Sequence, residues 1–257
     1  MLGGLAVAER WGTRTTFVLA LSASAVGLGN LWRFSWLSGE YGGAPFVISY
    51  VFCLFFIAVP IMVAEVVIGS NGGPDPVSAI RRACESSLRS RVWGVVGLLA
   101  CVTGVLMLAF YVVVAGWGMA YADFVRKGAF SSVLAVEAGQ HFSDYLADPA
   151  PQVYWQSLFL LMTAGFVVLG VRRGLGMLVW LVVPVMVAML AFLVKFAFDN
   201  GDMEAAGEFL FSTRMADFSS RTVLVALAHA VFTLGVGVGT GFSYGAYAAQ
   251  RIPVSRS

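Results

Sequence analysis

The sequence predicts an all-α integral membrane protein with six transmembrane helices, the first and last of them unwound at mid-membrane. Three observations predict it. Hydrophobic residues make up 59% of the 257-residue chain and charged residues only 12%, with a mean hydropathy of +0.84, against roughly 45–50% apolar residues in a soluble domain. Apolar runs recur along the whole chain at close to the about 20 residues that cross a bilayer. Glycines interrupt two of these runs near their centres, Gly27 and Gly29 in the first and Gly235, Gly237, Gly239 and Gly241 in the last.

Residues 15–37 form the first span. Each glycine inside it weakens a helix by roughly 1 kcal/mol relative to alanine. In lipid an unpaired backbone group costs several kcal/mol, so loosened backbone persists only where protein, an ion or a polar cavity satisfies it. Small residues in membrane helices also serve close helix packing, and one Gly-x-Gly does not separate the two readings. A glycine-rich turn from Ser38 to Gly43 leads into the second span, 44–69, which carries Pro60 and a single carboxylate, Glu65. An intramembrane carboxylate is a functional group by default, although one that only ties helices together by hydrogen bonds fits the pattern too. Residues 70–91 open on a Gly-Gly-Pro-Asp-Pro breaker and carry Arg81, Arg82, Arg89 and Arg91, which reads as a cytoplasmic loop with a short helix.

The third span, 92–121, is long enough to be tilted and contains Tyr111 and Trp117. Residues 122–152 turn acidic, with Asp123, Glu137, Asp144 and Asp148, and suit an external loop holding a small amphipathic helix. A short fourth span, 153–171, meets the fifth, 175–198, through a tight Arg172-Arg173-Gly174 turn, and Asp199, Asp202, Glu204 and Glu208 precede the sixth, 221–249. Arg10, Arg14, the four loop arginines, Arg172, Arg173, Arg251 and Arg256 all fall on one side, so the positive-inside rule puts both termini in the cytoplasm of a multi-pass inner (plasma) membrane protein. Short connections leave room for no separate soluble domain, and Met1 to Arg10 has no removable signal-peptide pattern.

Several classes are excluded. A net charge of +2 gives no reason to expect a nucleic-acid partner. Cys53, Cys84 and Cys101 are an odd number with no Cys-x-x-Cys pattern, so neither a disulfide framework nor a thiolate metal site is indicated. The chain has no Gly-x-x-x-x-Gly-Lys-Ser/Thr loop for ATP, no His-Glu-x-x-His and no Gly-x-Ser-x-Gly, which argues against a pump, an enzyme or an organic cofactor. What remains points to a secondary transporter. Paired glycine-broken spans mark such a binding site, because helix ends meeting near the midplane offer N–H groups to a carboxylate and free carbonyls to a cation.

Ala25-Val-Gly-Leu-Gly-Asn-Leu-Trp-Arg-Phe34, Glu40-Tyr-Gly-Gly43 and Phe232-Thr-Leu-Gly235 resemble the neurotransmitter:sodium symporter family in its bacterial amino-acid branch. The resemblance implies a LeuT-like inverted-repeat fold. That fold has two five-helix repeats, and this chain is similar to a member truncated after the sixth transmembrane helix, with the first repeat and the first helix of the second. It implies sodium-dependent symport of an amino acid by alternating access. The competing reading, from a different class, is a non-transporting membrane protein that binds a ligand or partner through the half-site. Homo-oligomerisation is left open.

By resemblance, main chain around Ser24, Ala25, Leu28 and Gly29 holds the substrate's carboxylate and amino group. The Tyr111 hydroxyl reaches the carboxylate, and Met107, Phe232, Thr233, Gly235 and Val238 surround the side chain. Sodium, a hard cation served by oxygen ligands, would take the Ala25 carbonyl, the Asn30 amide oxygen and Thr233 at a first site together with the substrate carboxylate. A second, incomplete site would use the Ala23 and Val26 carbonyls. The resemblance makes Arg33 half of an external gate, with His229 standing where the family commonly has glutamine, and makes Trp11 and Tyr247 cytoplasmic gate residues. A histidine there is expected to give transport a pH dependence, although a packed, hydrogen-bonded histidine fits equally. Ala8 replaces the arginine expected three residues before the tryptophan, and Ser35 a usual proline. Gly27 occupies the position where monoamine carriers have an aspartate, which favours a carboxylate-bearing substrate, and small Gly235 and Val238 favour an apolar one.

Overall fold

A computed structural model describes residues 10–27, 29–73, 75–130, 135–211 and 218–248, the side chains of 135–138 apart, and every regular element among them is helical. α1 (Arg14–Ala25) starts where the Thr13 hydroxyl accepts the Thr16 N–H at 3.1 Å, one of the N-cap bonds that satisfy otherwise unpaired donors. α2 (Gly29–Glu40) follows after a break, bent by 52° from α1. α3 (Ala44–Gly72) widens by one residue per turn over Leu54–Ala58, which relieves the clash that Pro60 would make with the preceding turn of a regular helix. α4 (Pro76–Ser86) lies in the basic loop and begins at Asp75, which accepts both the N–H of Ser78, at 2.9 Å, and its hydroxyl. Those bonds hold the Asp75 carboxyl below its ordinary value.

α5 (Arg91–Arg126) is the longest helix and extends five residues beyond the predicted span. α6 (Ala135–Ala147) and α7 (Pro149–Val168) follow, the latter capped by Asp148. α8 (Val171–Asn200) already includes Arg172, Arg173 and Gly174. The tight turn expected at those residues therefore lies earlier, at Leu169 and Gly170, where Gly170 takes φ +82°. α9 (Met203–Phe211), α10 (Ser220–Leu234), opened by a reciprocal Ser219–Thr222 cap, and α11 (Thr240–Ala246) complete the helices of the described residues.

By length and apolarity α3, α5 and α8 each suffice to cross a membrane, and the bent α1–α2 pair adds a broken fourth. α7 carries Gln152 and Gln156 in its first turns, and the sixth predicted span is divided between α10 and α11. α11 docks on α3 by backbone contact: a methyl group at Gly69 would collide with the main chain of Phe242, and one at Gly245 with that of Val66. α10 packs on α3 through Ala226 and Phe46, with Leu37 of α2 in the same cluster, and through Cys53, Ala58 and Ala230. α3 thereby holds both halves of the last broken span.

Candidate functional site

The first break begins at Val26, whose extended backbone (φ −94°, ψ 93°) ends α1 and whose N–H donates to the carbonyls of Ser22 and Ala23 at 3.2 and 3.3 Å. A side chain spans the gap. Asn30 donates its amide N–H to the Ala25 carbonyl, and its main-chain N–H to Gly27 at 3.0 Å. Leu28 lies outside the described residues.

The second break lies between α10 and α11, where Gly235, Gly237 and Gly239 take φ of +66°, +81° and +86°. This is the left-handed region open chiefly to glycine. Alternating glycines thus turn the chain where a helix would continue. From α3 the buried Glu65 accepts the Gly237 N–H on Oε1 at 2.8 Å, and its other oxygen lies against Gly241. The predicted intramembrane carboxylate supports the unwound segment.

The breaks meet through Thr233. Its hydroxyl lies 2.9 Å from both Asn30 Oδ1 and the His229 carbonyl, and it accepts the Tyr50 hydroxyl at 3.1 Å. Ala25, Asn30 and Thr233 therefore present carbonyl, amide and hydroxyl oxygens in one hydrogen-bonded chain, a donor set suited to a hard monovalent cation. They line a cavity of about 580 Å³ with Val26, Tyr50 and apolar side chains of α1 and α3. The Ala23 carbonyl is engaged with the Val26 N–H.

A second cavity, about 550 Å³, opens between α2 and α5. Gly29, Trp32, Arg33 and Trp36 contribute one helical face, and Met107, Phe110, Tyr111 and Val114 another, with Phe232 closing the wall from α10. A side chain at Gly29 would strike the Phe232 ring, whereas a methyl at Gly27 would stand a comfortable 3.9 Å from the Tyr111 hydroxyl. Gly29 thus brings two spans together, and Gly27 leaves room beside Tyr111.

Of the expected residues, the fold brings Gly29, Met107, Tyr111, Phe232 and Arg33 to this cavity, and Ala25, Val26, Asn30 and Thr233 to the other. Ser24, Gly235 and Val238 line neither. Ser24 is exposed and its hydroxyl donates to the Leu21 carbonyl at 2.8 Å, Gly235 caps α10, and the Val238 carbonyl faces Gly104 on α5. Trp32, Trp36, Phe110, Val114 and Tyr50 were missed. The first four follow from i, i+3, i+4 and i+7 spacing around Gly29 and Met107, while only tertiary contact reveals Tyr50.

At the arginine-rich end, Trp11 is buried, donating its indole N–H to the Tyr244 carbonyl at 3.1 Å and its main-chain N–H to the Tyr247 carbonyl at 3.0 Å. At the other end Arg33 is exposed and, among the described residues, in no ion pair. His229 is buried among the rings of Phe34, Tyr50 and Phe232, 5.5–6.0 Å between centroids, and its Nε2 has no hydrogen-bond partner among the described residues.

Comparison with known proteins shows the family and the fold. The model of the Sodium:neurotransmitter symporter family matches residues 8–143, just over half of the chain. The chain is 27% identical over 249 residues to the uncharacterized sodium-dependent transporter YhdH of Bacillus subtilis, covering 96% of this chain and 54% of that protein. It is 25% identical over 256 residues to the uncharacterized sodium-dependent transporter MJ1319 of Methanocaldococcus jannaschii, covering 95% and 50%. The crystal structure of MhsT in complex with L-phenylalanine superposes with a TM-score of 0.85 at 33% identity, over 96% of this chain and 55% of that one. The chain spans about half the length of the relatives it matches.

Proposed function

This chain belongs to the sodium:neurotransmitter symporter family, and we propose that its two broken helices bind an apolar amino acid together with sodium, serving sodium-coupled symport by alternating access. The observation that carries the proposal is the meeting of Ala25, Asn30 and Thr233 oxygens across both breaks. In this reading sodium displaces the Asn30 N–H from the Ala25 carbonyl and takes the three oxygens as ligands. The substrate carboxylate, lying beside Gly27 and the Tyr111 hydroxyl, adds a further oxygen. A carboxylate that is also a sodium ligand couples the two solutes, each raising the other's affinity. The aromatic cavity of Met107, Phe110 and Phe232 suits a bulky apolar side chain, in keeping with the phenylalanine bound to MhsT.

The proposed topology has six crossings, with α1–α2 first and α10–α11 last, and both ends on the cytoplasmic side, where the arginines gather. Trp11 and Tyr247 then close the cytoplasmic mouth, and Arg33 and His229 flank the external one. The test is uptake of radiolabelled amino acids into vesicles holding the purified protein under an inward sodium gradient. Uptake of phenylalanine or leucine above that of glycine, abolished when potassium replaces sodium, is the expected result. Sodium-dependent binding without uptake would instead favour the non-transporting reading. His229→Gln is expected to flatten the pH profile of binding, and an unchanged profile would remove His229 from the external mouth's chemistry.

A further inference from the structure

Tyr50 lines the cavity that holds Ala25, Asn30 and Thr233 without being one of the three oxygens proposed for the ion. Its ring is wedged between Phe34 of α2, Phe46 one turn earlier on α3 and the imidazole of His229 on α10, at centroid distances of 5.0, 6.5 and 5.5 Å. Packing against three helices fixes where the hydroxyl stands, and that hydroxyl donates to Thr233 Oγ1 at 3.1 Å. Thr233 in turn has one hydroxyl proton and two acceptors within reach, Asn30 Oδ1 and the His229 carbonyl, each at 2.9 Å. A hydroxyl donates once and accepts twice, so the two acceptors are alternatives. With the proton on Asn30 Oδ1, a hydrogen stands between the two oxygens that an ion has to share. With the proton turned back along α10 to the His229 carbonyl, both oxygens are free to face the cavity.

We propose that Tyr50 is a positioning residue for the sodium site, its O–H holding the Thr233 hydroxyl so that the Thr233 proton turns to the His229 carbonyl and one Thr233 lone pair meets the ion. The inference rests on the proposed sodium site. Donation from Tyr50 fills one lone pair of Thr233 and leaves the other, which limits rotation of the Thr233 hydroxyl to settings that keep an acceptor available. Hydrogen bonds in series polarise one another, so the same donation strengthens the Thr233 bond to His229 on which the ion-bound setting depends. Because the Tyr50 hydrogen points at Thr233, Tyr50 acts through that residue and not as a ligand.

The experiment titrates sodium, with choline keeping ionic strength constant, against binding of radiolabelled phenylalanine to the purified protein. Tyr50→Phe removes one oxygen and keeps the packed ring. Half-saturating sodium is expected to rise roughly 5-fold, the worth of one neutral hydrogen bond, while binding at saturating sodium stays that of the natural chain. A general loss of structure would lower that maximum instead. Tyr41→Phe takes a hydroxyl from the other side of Phe46 in the same aromatic cluster and is expected to move neither quantity. The Tyr50→Phe shift is expected to persist in a His229→Gln background, because the main-chain carbonyl that receives the Thr233 proton is retained there. An unchanged half-saturation or a lowered maximum in Tyr50→Phe, an equal shift in Tyr41→Phe, or a shift that vanishes with His229→Gln overturns the role of Tyr50 and leaves the sodium site standing. Phenylalanine binding that is absent from the natural chain, or independent of sodium there, overturns the sodium site itself and this inference with it.

Discussion

The two breaks are built in different ways. The second is encoded in the backbone, with three left-handed glycines, the middle one of which, Gly237, is bound from outside by Glu65. The first has no left-handed residue among those described, and a side chain, Asn30, holds it to the Ala25 carbonyl. The glycines of the first break serve space, Gly29 for Phe232 and Gly27 for the room beside Tyr111. The second break is thus a fixed frame. The first is closed by the Asn30 side chain on the Ala25 carbonyl, beside a main-chain bond to Gly27, and in the proposed reading sodium takes over that carbonyl, which would make the first span the ion-responsive one.

The largest test of this contrast is Gly69→Ala, which forces α11 off α3. A loss of roughly 3 kcal/mol is expected from overpacking against backbone, read as a lowered melting temperature in detergent, while Gly165→Ala, with open space around it, leaves melting unchanged or raised. Next, Gly237→Ala should cost about 1–2 kcal/mol through its left-handed backbone alone, with Gly27→Ala near neutral; equal costs would erase the distinction between the breaks. A double-mutant cycle of Asn30→Ala and Thr233→Ala should give a coupling of about 1 kcal/mol in sodium-free protein, and additive effects would separate the two spans.

The smallest effect is expected at Asp75→Asn, outside both breaks. Because its folded-state value is depressed, the carboxylate's contribution is present above the unfolded value of about 3.9 and is lost as pH falls through the lower folded one. The variant should therefore melt below the natural chain at pH 7, by the few tenths to about 1 kcal/mol typical of a negative charge at a helix N-terminus, and the gap should close in strong acid. A constant gap would assign the effect to packing.

Much of this was legible from residue order because lipid leaves the backbone few choices. Gly235, Gly237 and Gly239 announce a break in any apolar span, and Asn30 and Thr233 are polar groups beside the breaks. Register was harder. The turn falls at Gly170 rather than Arg172–Gly174, since Val171–Leu175 forms a wide helical turn that composition does not encode. Tyr50 stayed hidden because its bond to Thr233 joins residues far apart in the chain. Ser24, next to the motif in sequence, lies outside both cavities because its hydroxyl is bound to its own helix at Leu21.

The most direct test of the central claim, that both breaks form one sodium-coupled site, is equilibrium binding of radiolabelled phenylalanine to the purified protein in sodium and in potassium. Saturable binding in sodium, reduced at least 10-fold in potassium and in Asn30→Ala, is the predicted result. Binding that is equal in the two salts, or that survives Asn30→Ala in sodium, would contradict it.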